Sequence, residues 1–170
     1  MQNRTDLPRA FDQRSLLMTL LDYTRATTAY KCEGLSDADA RRTPLPTSPM
    51  MSISGLVSHL RWVEWSWIEE RLLGETGDHP WIDPDDPDRE FHYELDRPLS
   101  DILADYQAQS ARHNEIIAGM DLDTKTIWKA RETGEPVTLG WIIMHLVEEN
   151  ARHNGHIDII RELVDGQVGD

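Results

Sequence analysis

Cysteine, basic charge and long apolar runs are what this chain is short of. Its 170 residues include one cysteine, Cys32. That excludes an internal disulfide framework and leads us to expect a reducing, cytoplasmic setting. Lys and Arg number 17 against 31 Asp and Glu, a net charge of −14 with neutral His. Nucleic acid and anionic membrane surfaces both require a basic footprint, so neither is an expected partner. No stretch approaches the roughly 18 consecutive apolar residues of a spanning helix. The opening Met1-Gln-Asn-Arg-Thr-Asp-Leu-Pro8 has no apolar core of the signal-peptide kind. The length suits one domain, residues 1–170, with a core of useful size.

What is present is helical periodicity. From about Pro8 to Glu33, Leu16, Leu17, Leu20, Leu21, Tyr23 and Thr24 supply an apolar face, with Asp6 as the expected N-cap and Gly34 as a left-handed stop. Cys32, near the end of that helix, reads as a small buried filler. Ser36 caps a short helical turn, and the prolines of Thr43-Pro-Leu-Pro-Thr-Ser-Pro49 exclude helix there. A second helix is predicted from Ser52, its N-cap, to Leu73, with Gly74 as stop. Ile53, Leu56, Val57, Leu60, Val63 and Trp67 share one face of it, and His59 borders that face. Trp62, Trp65 and Trp67 make the segment tryptophan-dense, which reads first as core or interface area and second as a substrate wall.

Residues 75–97 carry prolines and aspartates that sustain no element, so a long loop is expected, either a lid or a connector. Its Asp83–Asp88 run lacks the glycine and terminal glutamate of a calcium loop and reads as a solvated acidic segment. His79 and His92 are expected at the surface. A third helix is predicted over Leu99–Met120 with Ser100 as N-cap, and His113 on it reads as a polar-face histidine. Residues 121–137 form a connector with short extended potential at Thr126-Ile-Trp128, and the last helix runs from Thr138 to Asp165. Four long helices with a long second connection predict an all-α four-helix bundle.

The chemistry concentrates in Glu149-Asn-Ala-Arg-His153-Asn-Gly-His156. At about 100° per residue, Ile142, Leu146, Ile157, Ile160 and Val164 form the inward arc, and Glu149 and His153 fall within it. His145 and His156 fall at its edge. A buried carboxylate needs a positive partner, because leaving it unpaired costs several kcal/mol. An arginine would serve, and so would a divalent metal shared with His153; the spacing leaves both open.

Trp141-Ile-Ile-Met-His-Leu-Val-Glu-Glu-Asn-Ala-Arg-His-Asn-Gly-His156, with Ser54-Gly-Leu-Val-Ser-His-Leu60, Leu21-Asp-Tyr-Thr-Arg-Ala26 and Glu33-Gly-Leu-Ser-Asp-Ala-Asp-Ala-Arg-Arg42, resembles the DinB superfamily. The similarity is to its mini-circle protein branch, domain family of unknown function 664, and spans nearly the whole chain. It implies a divalent metal held by one residue of the second long helix and two of the last, here His59, Glu149 and His153. Many members carry His at the middle position. Glu149 resembles instead the mycothiol-dependent maleylpyruvate isomerase branch. Gly155 matches a glycine expected where helices pack closely, and His156 stands where many relatives have Gln.

The resemblance implies zinc, with nickel, manganese or iron as alternatives, and a low-molecular-weight thiol such as mycothiol or bacillithiol as cosubstrate. A metal with an open position converts a thiol to the nucleophilic thiolate for transfer to, or isomerisation of, a small electrophile. His145, His156 and Tyr106 are acid–base candidates by residue type. Two alternatives stay open: a hydrolase using metal-activated water, and a non-catalytic metal-binding bundle that pairs through its tryptophans as a homodimer.

Overall fold

The computed structural model describes residues 4–77 and 79–169. Helix α1 spans Gln13–Lys31, α2 Asp37–Ala40, α3 Ile53–Trp65, α4 Leu99–Ala118 and α5 Leu139–Val164. A two-stranded antiparallel hairpin, β1 (Lys125–Lys129) and β2 (Pro136–Thr138), occupies the connector in which Thr126-Ile-Trp128 has extended potential. The four long helices form the expected bundle. Ser36, Ser52 and Thr138 cap their helices as their residue type predicts, accepting from the backbone N–H of Asp39, Gly55 and Trp141. Gly34 and Gly74 end helical segments with φ of 74° and 78°.

Two helix starts differ from expectation. Asp12, not Asp6, caps α1: its carboxylate accepts from Ser15 N at 3.0 Å and from Ser15 Oγ at 2.7 Å. Upstream, Leu7 and Phe11 are exposed, so no apolar face is there to extend the helix. Ser100 does not cap α4. Pro98 precedes Leu99, and the Leu99 N–H is satisfied by Asp37 of α2 at 2.9 Å, a partner periodicity cannot reveal.

Two apolar clusters set the helix directions. One gathers Cys32 from the end of α1, Ile53 to Leu60 from the start of α3, Leu99 to Tyr106 from the start of α4, and Ile157 and Ile160 from late α5. The other gathers Leu21, Val63, Ile68, Ile117 and Leu139 to Leu146. Helices α1 and α5 therefore run in one direction and α3 and α4 in the other. A chain leaving α3 at one end must travel back along the bundle to begin α4 at the other. That is why residues 73–98 are long, and why they pass over α3.

Between the clusters lies a polar belt. Leu16 and Leu20, expected on the inner face of α1, are more than a third exposed, and the inner face carries Leu21, Thr24, Arg25, Thr28 and Lys31. Those polar groups have partners: Thr28 Oγ1 donates to Asn154 Oδ1 at 2.8 Å, and Lys31 pairs with Asp158. Glu64 of α3, fully buried, accepts from Arg25 of α1 at 2.8 and 3.0 Å and from Ser110 of α4 at 3.2 Å. Beyond α3 the helix widens into π-type turns over Ser66–Leu72, with Leu73 N bonded to Ile68 O at 3.1 Å. Such turns bring residues five apart toward the same side. Glu64 and Glu69 both reach His113, whose Nδ1 and Nε2 each lie 2.8 Å from one of their oxygens. His113 is thus no polar-face residue; it is wholly buried.

Burial alone would raise the pKa of Glu64, but Arg25 and His113 outweigh it and hold the carboxylate below its usual range. Removing one partner of such a buried set strands the others. Glu64→Ala is expected to lower unfolding free energy by roughly 3–5 kcal/mol, measured by urea denaturation. A loss smaller than about 1 kcal/mol, the scale of a surface ion pair, would show that the belt carries little stability.

Candidate functional site

His59 on α3 and Glu149 and His153 on α5 meet midway between the two apolar clusters. The i, i+4 spacing stacks Glu149 and His153 on one face of α5, and the packing of α3 against that face brings His59 opposite. His153 Nε2 lies 3.4 Å and His59 Nε2 3.9 Å from the same oxygen, Glu149 Oε2. The two imidazoles stand edge to face with centroids 4.9 Å apart. Three donor atoms, one from each residue, lie within 4.8 Å of one another. These separations are long for hydrogen bonds. They suit a shared ion: two donors about 2.1 Å from one zinc at the tetrahedral angle stand roughly 3.4 Å apart. The imidazole, imidazole, carboxylate set is one that could hold a divalent metal.

Both imidazoles are backed. His59 Nδ1 is buried, without a close hydrogen bond, and faces Glu90 Oε1 at 3.5 Å. Phe91 stacks on the same ring, centroids 4.4 Å apart and planes within 10°. His153 Nδ1 lies 3.2 Å from His156 Nδ1. When the Nδ1–H of His153 donates to His156, its Nε2 lone pair points toward Glu149. Burial keeps the pKa of His156 low, with His153 and Arg152 adding to it, which suits that acceptor role. Glu149 is held well below the usual carboxylate range by His153 and His59. For His59, burial opposes a charge, yet Glu149 and Glu90 overcome it and raise its pKa.

Sequence reasoning does not reach Glu90 or Phe91, which sit on a short 3₁₀ turn, Arg89–Phe91, inside the long connection. A partial signal is present in Ser54-Gly55: a Cβ at Gly55 would stand 2.4 Å from Phe91 O, so glycine is what lets that turn lie against α3. Gly155, by contrast, meets nothing within 4 Å, and close helix packing does not explain it.

His145 lies at the edge, as its wheel position suggests. Its Nε2 is 3.9 Å from the other carboxylate oxygen, Glu149 Oε1, so it does not join His59 and His153 on Oε2. It is flanked by Trp141, stacked at 5.0 Å, and Trp67 at 5.1 Å. Partial burial lowers its pKa against the pull of Glu149 and Glu148. Tyr106 is not at the site; its hydroxyl is buried in the polar belt, donating to Asn150 Oδ1 at 2.6 Å. His92 is exposed and pairs with Asp86, whereas His79, expected at the surface, is half-buried on the Trp65 ring at 3.7 Å.

Cys32 lies in the first apolar cluster, and burial pushes its thiol up to about 12. Only the thiolate is nucleophilic. The folded protein is therefore expected to resist iodoacetamide up to about pH 9, where an exposed cysteine reacts readily, and to be modified only after denaturation. Labelling of Cys32 in the folded state, followed by mass spectrometry, would overturn this.

Comparison with known proteins bears on the fold and the family. Among solved structures, a crystal structure of a "conserved protein of locus from Enterococcus faecalis" superposes with a TM-score of 0.60 over 93% of this chain and 100% of that one, at 19% identity, a likeness of fold. Comparison with curated proteins found no match. The family model described as "Mycothiol-S-transferase" matches residues 16–166, nearly the whole chain. The chain belongs to the mycothiol S-transferase family, a DinB-like family.

Proposed function

We propose that His59, Glu149 and His153 hold a divalent metal, zinc in the first instance, and that the protein transfers a low-molecular-weight thiol to a small electrophile. The observation that carries this reading is the convergence of two backed imidazole nitrogens on one carboxylate oxygen, with three protein donors. Structural zinc normally takes four protein ligands, whereas catalytic sites take three and keep a position open. A bound metal of this kind supplies one thing, an incoming thiol held as its thiolate at neutral pH. Membership of the mycothiol S-transferase family supports mycothiol as that thiol.

The chain's own residues then have distinct tasks. Glu149 offsets the charge of the metal. Glu90 and His156 orient His59 and His153 from behind, as outer partners of ligating histidines do. His145, partly exposed beside Glu149, is the group available to carry a proton between the site and solvent. In the transfer itself the thiol sulfur bonds to an electrophilic carbon as that carbon's bond to its leaving atom breaks. The thiol proton ends on the departing alkoxide, or in solvent where chloride leaves.

Metal analysis of the purified protein should give stoichiometric divalent metal that is lost in His153→Ala. Glu90→Gln should weaken metal affinity about 10- to 100-fold, read by competition with a chelator. Zinc-loaded protein, given mycothiol, bacillithiol or glutathione with chlorobimane, should turn over with mycothiol best. Absence of triad-dependent metal would sink the metal assignment. Absence of thiol-dependent turnover and of saturable mycothiol binding would sink the transfer reaction.

A further inference from the structure

A cavity of about 180 Å³ lies against the candidate metal centre, walled by Ser48, Pro49, Met50, Met51, Leu56, Phe91 and His153. One of its walls belongs to the centre itself and another lies against it. His153 is one of the three converging donors, and Phe91 lies flat on His59. Whatever occupies this slot therefore touches His153, one of the three groups proposed to hold the metal, and the ring stacked on a second, His59.

The lining decides what fits. Among the described residues it offers no hydrogen-bonding side chain apart from the His153 ring and the Ser48 hydroxyl, and no Lys or Arg lines it. A polar thiol placed there would lose water with nothing in exchange, at a cost of roughly 1–3 kcal/mol for each unpaired group. An anionic electrophile would fare worse, because its charge would leave water for a lining that holds no cation. An uncharged apolar group meets neither penalty. Size agrees: an apolar cavity of about 150 Å³ takes up benzene. The two methionines add adaptability, since their unbranched thioethers reshape around rings of different outline.

Resting on the thiol-transfer reading above, we propose that this slot binds the apolar body of the electrophile, and that the substrates are uncharged compounds bearing a small aryl or branched alkyl group beside the reacting carbon. With that group seated against Phe91 and His153, the reacting carbon is held next to the centre where the thiolate forms. The thiol's own polar body lies outside the slot. Dicarboxylate electrophiles are disfavoured by the same walls.

The test separates the slot from the reaction. Para-fluorotoluene, followed by fluorine NMR, should bind saturably to both metal-free and zinc-loaded protein. Met50→Trp, which fills the slot from a residue outside the apolar core clusters, should weaken that binding about tenfold or more, the scale of even one methylene lost from a hydrophobic pocket. With zinc and mycothiol, the ratio of kcat/KM for styrene oxide over glycidol should fall by a similar factor in Met50→Trp. Should that variant fail to fold by circular dichroism, Met50→Lys puts a charge at the same wall and should have the same effect. Turnover of both epoxides without saturable aryl binding would overturn the slot and leave thiol transfer standing. Aryl binding that is lost in the variant, with no turnover of either epoxide, would do the reverse. An unchanged ratio in a folded variant that still binds the aryl probe would also overturn the proposal.

Discussion

The bundle depends on one buried carboxylate. Glu64 on α3 takes a guanidinium from α1 and a hydroxyl and an imidazole from α4, so three helices meet on two oxygen atoms. Such a group has no stable alternative inside an apolar core, because each unmet charge costs several kcal/mol. The helices must adopt the depth and rotation that satisfy it. That requirement fixes α3, and with it His59, which lies one to two turns earlier on the same helix. Apolar packing at either end would tolerate sliding more readily than this belt does.

The crossover follows from the same arrangement. Because α3 and α4 run in the same direction, their connection has to return along the bundle, and its path crosses α3 near His59. The prolines and acidic residues that forbid regular structure there leave it free to settle on the surface it crosses, held by Arg89 to Pro80 O and Asp83 and by Arg61 to Glu94. Glycine at position 55 lets the backbone of Phe91 come close. A segment whose sequence predicts no regular element thus folds one short 3₁₀ turn that supplies both the carboxylate behind His59 and the ring stacked on it. The same ring walls the apolar slot, so orientation of the proposed ligand and recognition of the proposed substrate share one short turn.

Glu149 and His153 were legible because a carboxylate and an imidazole interrupt an apolar arc at a spacing that stacks them. His59 was legible only through resemblance, since one histidine bordering an apolar face has no distinguishing pattern of its own. The inward arc of α5 is also more polar than its apolar residues suggest. Asn150 and Asn154 are buried in it, each bonded to both a side chain and a backbone carbonyl. His113 is hidden from the sequence for the complementary reason: its two partners sit on another helix, and one of them reaches it only because that helix widens.

Local chemistry by itself determined the four long helices, the caps of α2, α3 and α5, the glycine stops and the pairing of Glu149 with His153, because each rests on contacts within a few residues. It also determined that a long second connection would exist. Tertiary structure alone decided which polar residues turn inward, where α4 begins, and what stands behind His59. Those outcomes depend on partners far apart in the chain, and a buried polar group is acceptable only where such a partner arrives. Glu149 and His153 with His59 are the clearest case: residue spacing set Glu149 beside His153, and the folding of a loop over α3 gave His59 its carboxylate.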